Sequence, residues 1–109
     1  MRATVKVRLT NRKPFFGPGM VTLLREIESL GSVREASEKT GISYSKAWSM
    51  IRDAEKESGQ TLVERQPGGK FGGAANVSKA GKEMLEKYEQ LEQAVESYTT
   101  KKYQEIFQN

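Results

Sequence analysis

Between residues 31 and 64 the chain reads GSVREASEKTGISYSKAWSMIRDAEKESGQTLVE, and this stretch constrains the fold more than any other. Two amphipathic helical patterns meet at Gly41-Ile42, and each has its own start signal. Ser32 followed three residues later by Glu35 is a capping box, in which the hydroxyl takes the Glu35 N–H and the carboxylate reaches back to Ser32 N–H. That helix is expected to end near Thr40, with Gly41 supplying the positive φ of a tight turn. Ser43 caps the next helix, which is expected to continue to about Ser58 and stop at Gly59. Val33 and Ala36 face inward from the first pattern, and Ser37 is small enough for close helix contact. Ala47, Met50 or Ile51, and Ala54 form the buried stripe of the second, with Trp48 anchoring its side. Two short helices joined by such a turn, with a short strand following, predict a helix-turn-helix.

The flanking sequence supplies the scaffold. Residues 3–10 alternate Thr4, Lys6 and Arg8 with Val5, Val7 and Leu9, the period-two pattern of a half-buried edge strand. Residues 11–19 hold Pro14, Gly17, Pro18 and Gly19 and read as a loop, from which Phe15 and Phe16 pack against the domain. A helix over residues 18–30 carries Val21, Leu24, Ile27 and Glu28, with Met20, Leu23 and Leu30, at helical spacing. Gly31 is its candidate C-cap. Behind the central stretch, residues 61–66 and 74–77 read as two strands joined by the glycine-rich tip 67–73, a β-hairpin with a long loop. Ser78 then caps a helix expected to reach at least residue 98, along which Met84, Leu85, Tyr88, Leu91, Ala94, Val95 and Tyr98 form an apolar seam. Thr99-Thr100 is a candidate break before Tyr103, Ile106 and Phe107. The expected fold is mainly α with a small β-hairpin wing: a winged helix-turn-helix with an added N-terminal strand and a long C-terminal dimerisation helix. Residues 1–78 would form the winged domain and 79–109 the dimerisation helix and tail.

The residue inventory removes several kinds of chemistry. The 109 residues include no His and no Cys, which excludes zinc fingers, disulfide frameworks and Cys or His nucleophiles. The remaining carboxylates fall at exposed helical positions, no catalytic constellation emerges, and neither a metal nor a cofactor is expected. The segment 64–70 is no phosphate cradle, because Glu64 stands where a P-loop would need its first glycine. No run approaches the roughly 18 apolar residues of a membrane span, and no signal peptide opens the chain, so a cytoplasmic protein is expected. Up to Lys79 there are fourteen Lys and Arg against eight Asp and Glu; from Ala80 onward, four against six. A basic body with an acidic-leaning tail points to an anionic partner for the body.

Double-stranded DNA fits that partner. The outer side of the third helix carries Tyr44, Ser45, Lys46, Ser49 and Arg52, just after the capping Ser43. Lys46 is suited to guanine O6 and N7, and the two serines to bases or phosphates. Tyr44 is suited to a sugar or phosphate, and Arg52, one turn later, to the backbone. Lys70 among the glycines of the hairpin tip, with Arg65 at its base, suits a phosphate or a minor groove. Arg2, Lys6, Arg8, Arg12 and Lys13 read instead as solvated protection of an edge strand. Asp53, Glu55 and Glu57 offset Lys46, Arg52 and Lys56, which keeps a second reading open: a winged-helix protein-interaction module that does not bind DNA. Leu85, Tyr88, Leu91, Val95 and Tyr98 are the candidate dimer contacts, because the helix is longer than a small domain can cover.

The run GPGMVTLLREIESLGSVREASEKTGISYSKAWSMI, followed by GGKFGGAANVSKAG, resembles the DNA-binding domain of ModE-type regulators, the molybdate-responsive transcription factors. The shared features are the GPG lead-in, Leu23-Leu24 and Ile27, Gly31-Ser32, Gly41-Ile42-Ser43-Tyr44, Ala47-Trp48 and the glycine-rich wing. LysR-type regulators are similar more distantly, without the Tyr44/Trp48 pairing. The resemblance covers roughly residues 5–98 and implies a winged-helix regulator of transcription that binds DNA. Ser37 departs from the usual Ala. The family's molybdate-binding domains follow the DNA-binding domain, and no such domain is expected before the chain ends at Asn109, so molybdate sensing is not carried over.

Overall fold

The computed structural model describes residues 1–66 and 74–108. Its elements, in order, are β1 (Leu9–Thr10), β2 (Pro14–Phe16), α1 (Pro18–Leu30), α2 (Val33–Thr40), α3 (Tyr44–Ser58), β3 (Val63–Arg65), β4 (Ala75–Val77) and α4 (Lys79–Phe107). The three central helices have the expected limits because each is closed by a glycine in the left-handed region: Gly31 at φ 68°, Gly41 at 77° and Gly59 at 71°. Their starts are equally local. Ser32 Oγ accepts the Glu35 N–H at 3.1 Å and Ser43 Oγ accepts that of Lys46 at 3.1 Å. Only the hydroxyl half of the capping box forms; among the described residues no Glu35 carboxylate bond returns to Ser32.

The helices enclose one core. Met20, Leu23, Leu24 and Ile27 of α1 meet Val33 and Ala36 of α2 and Ala47, Ile51 and Ala54 of α3. Full burial of each large aliphatic side chain contributes about 1.5–3 kcal/mol. At the open choice on α3 it is Ile51 that is buried, and Met50 lies at the margin. Glu28 and Leu30 do not belong to the α1 stripe: both are exposed, and Glu28 pairs with Arg25 at 2.9 Å.

The N-terminus differs from its alternating pattern. Only Leu9 and Thr10 pair as strand, with Phe16 and Pro14 of β2, a segment expected to be loop. The residues before them run beside α4 instead: Tyr88 Oη donates to the Val7 carbonyl at 2.8 Å, and Arg2–Val5 share a cleft with Glu96, Thr99 and Thr100. Alternation makes a strand only where another strand edge is available, and here the neighbour is a helix. Phe16 is buried against Tyr88, ring centroids 5.3 Å apart. Asn11 and Arg12 close the turn onto α3. Asn11 Nδ2 donates to the Glu57 carbonyl at 3.0 Å, and Arg12 N–H to the Glu57 carboxylate at 2.9 Å.

β3 and β4 form the antiparallel hairpin, in register Val63 to Val77, Glu64 to Asn76 and Arg65 to Ala75. It docks on the α1–α2 corner, where the Ala75 N–H reaches the Gly31 carbonyl at 2.9 Å. Ser78 fixes the exit from the hairpin. Its hydroxyl donates to the Thr61 carbonyl at 2.6 Å and accepts the Gly81 N–H at 2.9 Å, while its own N–H bonds the Leu62 carbonyl. α4 then runs for 29 residues, straight through Thr99-Thr100, and stretches the molecule to 60 Å along its longest axis. Gly81, Leu85 and Tyr88 in its first third are buried with the rest of the core, so a boundary after residue 78 cuts through packed side chains.

Candidate nucleic-acid interface

With 3.6 residues per turn, α3 divides into four strips. Ala47, Ile51 and Ala54 point into the core. Opposite them Ser45, Ser49, Arg52 and Lys56 recur at four, three and four and are all exposed. Tyr44 and Trp48 share the flank toward the wing; Lys46, Met50, Asp53 and Glu57 share the other.

The three acidic residues of α3 are drawn onto the scaffold. Glu55 accepts the backbone N–H groups of Leu62 and Val63 at 2.8 and 3.2 Å, holding the start of the wing. Glu57 is buried under Asn11 and Arg12, with the Arg12 guanidinium 3.5 Å from its carboxylate. Asp53 pairs with Lys13 at 3.3 Å. These carboxylates therefore do not cancel the cations of α3. Among the described residues Lys46, Arg52 and Lys56 make no ion pair, and their charge faces solvent with the two serines.

The predicted contact residues do not all stand alike. Ser45, Lys46, Ser49 and Arg52 come together at the exposed start and middle of α3. Ser43 is occupied as the cap, so its task is to orient the helix. Tyr44 is not on the outer face. Its ring packs edge-on against Trp48, centroids 6.5 Å apart and planes at 84°, with the Arg34 guanidinium 4.2 Å above it. Arg65, on β3, lies 4.2 Å over Trp48. Lys70 falls outside the described residues. On the opposite flank Lys46 borders an open groove of about 410 Å³ with Lys6, Arg8, Phe15, Met50 and Asp53.

Sequence reasoning missed Arg34 and the burial of Glu57. Nothing local marks Arg34, whose aromatic partner lies in the next helix. Glu57 follows Ala54 at a spacing of three, on the edge of the apolar stripe, which was the available signal.

The seam of α4 divides in two. Leu85 and Tyr88, expected at a dimer contact, are 0% and 1% exposed within the single chain, because the first turns of α4 complete the core. Leu91 is 43% and Tyr98 63% exposed, with Val95 half-buried between them. Among the described residues no helix is long and apolar enough to cross a membrane, and no cluster of three His, Cys, Asp or Glu is placed to hold a metal.

Comparison with known proteins agrees with this geometry. The model of the bacterial regulatory helix-turn-helix proteins of the lysR family matches residues 20–82, from the first turn of α1 through the wing into α4. The chain is similar to the transcriptional regulator ModE of Yersinia pestis, with 35% identity over 92 residues, covering 84% of this chain and 35% of that protein. The DNA-binding transcriptional dual regulator ModE of Escherichia coli K12 is 35% identical over 94 residues, 85% of this chain and 36% of the relative. The molybdenum-pterin-binding protein MopA of Rhodobacter capsulatus is 34% identical over 82 residues, 75% of this chain and 31% of its own length. The chain thus spans about a third of the length of these relatives. Two glycine-stopped helices around a tight turn, a hairpin docked behind them and a match over more than half its length place this chain in the lysR family of bacterial regulatory helix-turn-helix proteins, with ModE regulators among its relatives.

Proposed function

We propose that this chain is a sequence-specific DNA-binding regulator of transcription, acting in the cytoplasm as a homodimer on a palindromic site. The observation that carries the reading is the division of charge around α3. Its acids are bound to the scaffold, while Ser45, Lys46, Ser49 and Arg52 face outward without an acidic partner among the described residues. An α-helix enters the major groove with its N-terminal residues nearest the base edges. In that pose Lys46 donates to guanine O6 and N7, the serines bond bases or phosphates, and Arg52 meets the backbone. The hairpin, with Arg65 at its base, lies on the adjacent backbone or minor groove, the contact to which the sequence also assigns Lys70. The family match and the regulator names of the relatives support the same reading.

Dimerisation rests on the distal part of α4. A 29-residue helix is about 43 Å long, and its buried residues end at Tyr88. Leu91, Val95 and Tyr98 continue the seam beyond the core, a self-complementary stripe for an antiparallel partner helix. Paired recognition helices then call for half-sites about one turn of DNA apart. In this arrangement residues 1–78 and the first turns of α4 read DNA, and the remainder of 79–109 joins the two copies.

The test is a gel shift over a genomic fragment library, from low to physiological salt. Nanomolar-to-micromolar retention that falls steeply with salt is expected. Combined Lys46→Ala and Arg52→Ala should weaken it by tenfold or more, about 1.4 kcal/mol; unchanged binding would take α3 out of the interface. Retention of no fragment at low salt favours the protein-interaction module.

A further inference from the structure

The sequence offers Tyr44 as a DNA contact and does not single out Arg34. The geometry points to another arrangement: Tyr44 and Trp48 are a platform that holds Arg34 and Arg65 as two phosphate-contacting cations along the wing-side flank of α3. The inference rests on the DNA-binding reading and adds to it one contact residue, Arg34, and two positioning residues.

Tyr44 and Trp48 stand four positions apart, one turn of helix or about 6 Å along its axis. Each ring carries one guanidinium at 4.2 Å, Arg34 from α2 on Tyr44 and Arg65 from β3 on Trp48. The first helix of the motif and the wing therefore deliver one cation each to a single row on the recognition helix. A guanidinium stacked on a ring is attracted through its flat face and keeps its in-plane N–H groups for other acceptors. Phosphate oxygens match that fork in a bidentate manner. Neither Arg34 nor Arg65 pairs with an acid among the described residues, so these donors are not consumed within the fold. An arginine free in solvent loses rotamer freedom when it binds, and prior stacking removes part of that cost.

Trp48 shows what the platform requires. Its Nε1 is buried and has no hydrogen-bond partner among the described residues, while its ring packs against the core. The indole is thus held by packing and offers its face, not its N–H. Phe at this position keeps a face and loses no hydrogen bond; Leu keeps the apolar volume and loses the face.

The experiment measures affinity for a retained duplex against salt concentration. Arg34→Ala and Arg65→Ala should each lower affinity about tenfold and reduce the slope of log K against log salt by about one, with an unchanged order of preference among sites. Trp48→Leu should weaken binding severalfold, and Trp48→Phe should restore most of it. Trp48 is the only tryptophan in the chain, so its fluorescence in the wild-type protein should change on DNA titration, and the change should shrink in Arg65→Ala. Wild-type slopes in both arginine variants, while Lys46→Ala with Arg52→Ala loses binding, would overturn the platform and leave the DNA reading standing. No binding by the wild-type chain would overturn both. Should Trp48→Leu fail to fold, the exposed arginine variants decide alone.

Discussion

The hydroxyl of Tyr88 donates to the carbonyl of Val7 at 2.8 Å, joining the last helix to the first residues of the chain across 81 positions of sequence. The same oxygen lies 3.3 Å from the Glu92 carboxylate, and the ring packs against Phe16. Through this one side chain α4, the N-terminal segment and β2 become a single packed unit.

Burial, and then the charge of Glu92 beside it, push the Tyr88 phenol above its ordinary value of 10.0. The folded state therefore holds the proton more tightly than the unfolded one. The stabilisation is complete below about pH 10 and is lost as pH rises through the higher folded value. Tyr88→Phe should cost about 1 kcal/mol at neutral pH from the lost hydrogen bond and flatten the alkaline limb of a denaturation series. An alkaline limb as steep as wild type would assign that limb to other groups.

Gly81 is required for its size rather than its dihedral. A Cβ there would lie 2.5 Å from the Leu62 carbonyl oxygen and 2.7 Å from Val77 Cγ1, so α4 would have to lift from the wing. Gly81→Ala should destabilise by about 1–3 kcal/mol, as overpacking does, despite the better helix propensity of Ala. Gly31→Ala is the control, since nothing lies within 4 Å of its Cβ and its cost comes only from φ at 68°. Thermal melts of the two variants compare a steric loss with a conformational one.

The distal α4 proposal separates from fold stability. Leu91→Lys with Tyr98→Lys should convert a dimer to a monomer in sedimentation, because like charges would face one another on the seam. The protomer core should survive, since neither residue is buried. The monomer should bind a half-site at least tenfold more weakly than the dimer binds the full site, the gain in effective concentration being lost. A sedimentation coefficient unchanged by the two substitutions would move the dimer contact elsewhere.

The central helices were legible in the sequence because their limits are local. A glycine that accepts positive φ and apolar residues at three and four need no distant partner and set all three helices, and at α2 and α3 a serine that accepts the N–H three residues on is just as local. The exposed Ser45, Lys46, Ser49 and Arg52 come from the same short-range rules. Where partners are remote, sequence ran out. Residues 3–10 alternate as a strand would, yet the tertiary structure sets most of them beside α4, where strand pairing is unavailable. The acids of α3 looked like neutralising charge until the fold tied Glu55 to the wing backbone, Glu57 to the N-terminal turn and Asp53 to Lys13. Leu85 and Leu91 lie on one seam in sequence, and only packing decides that the first completes the core while the second stays exposed. Arg34 acquires its place from a ring in another helix. Capping and periodicity are properties of a few neighbouring residues and are written in their order; the free charges of α3 and the surface of α4 depend on what the rest of the chain brings against them.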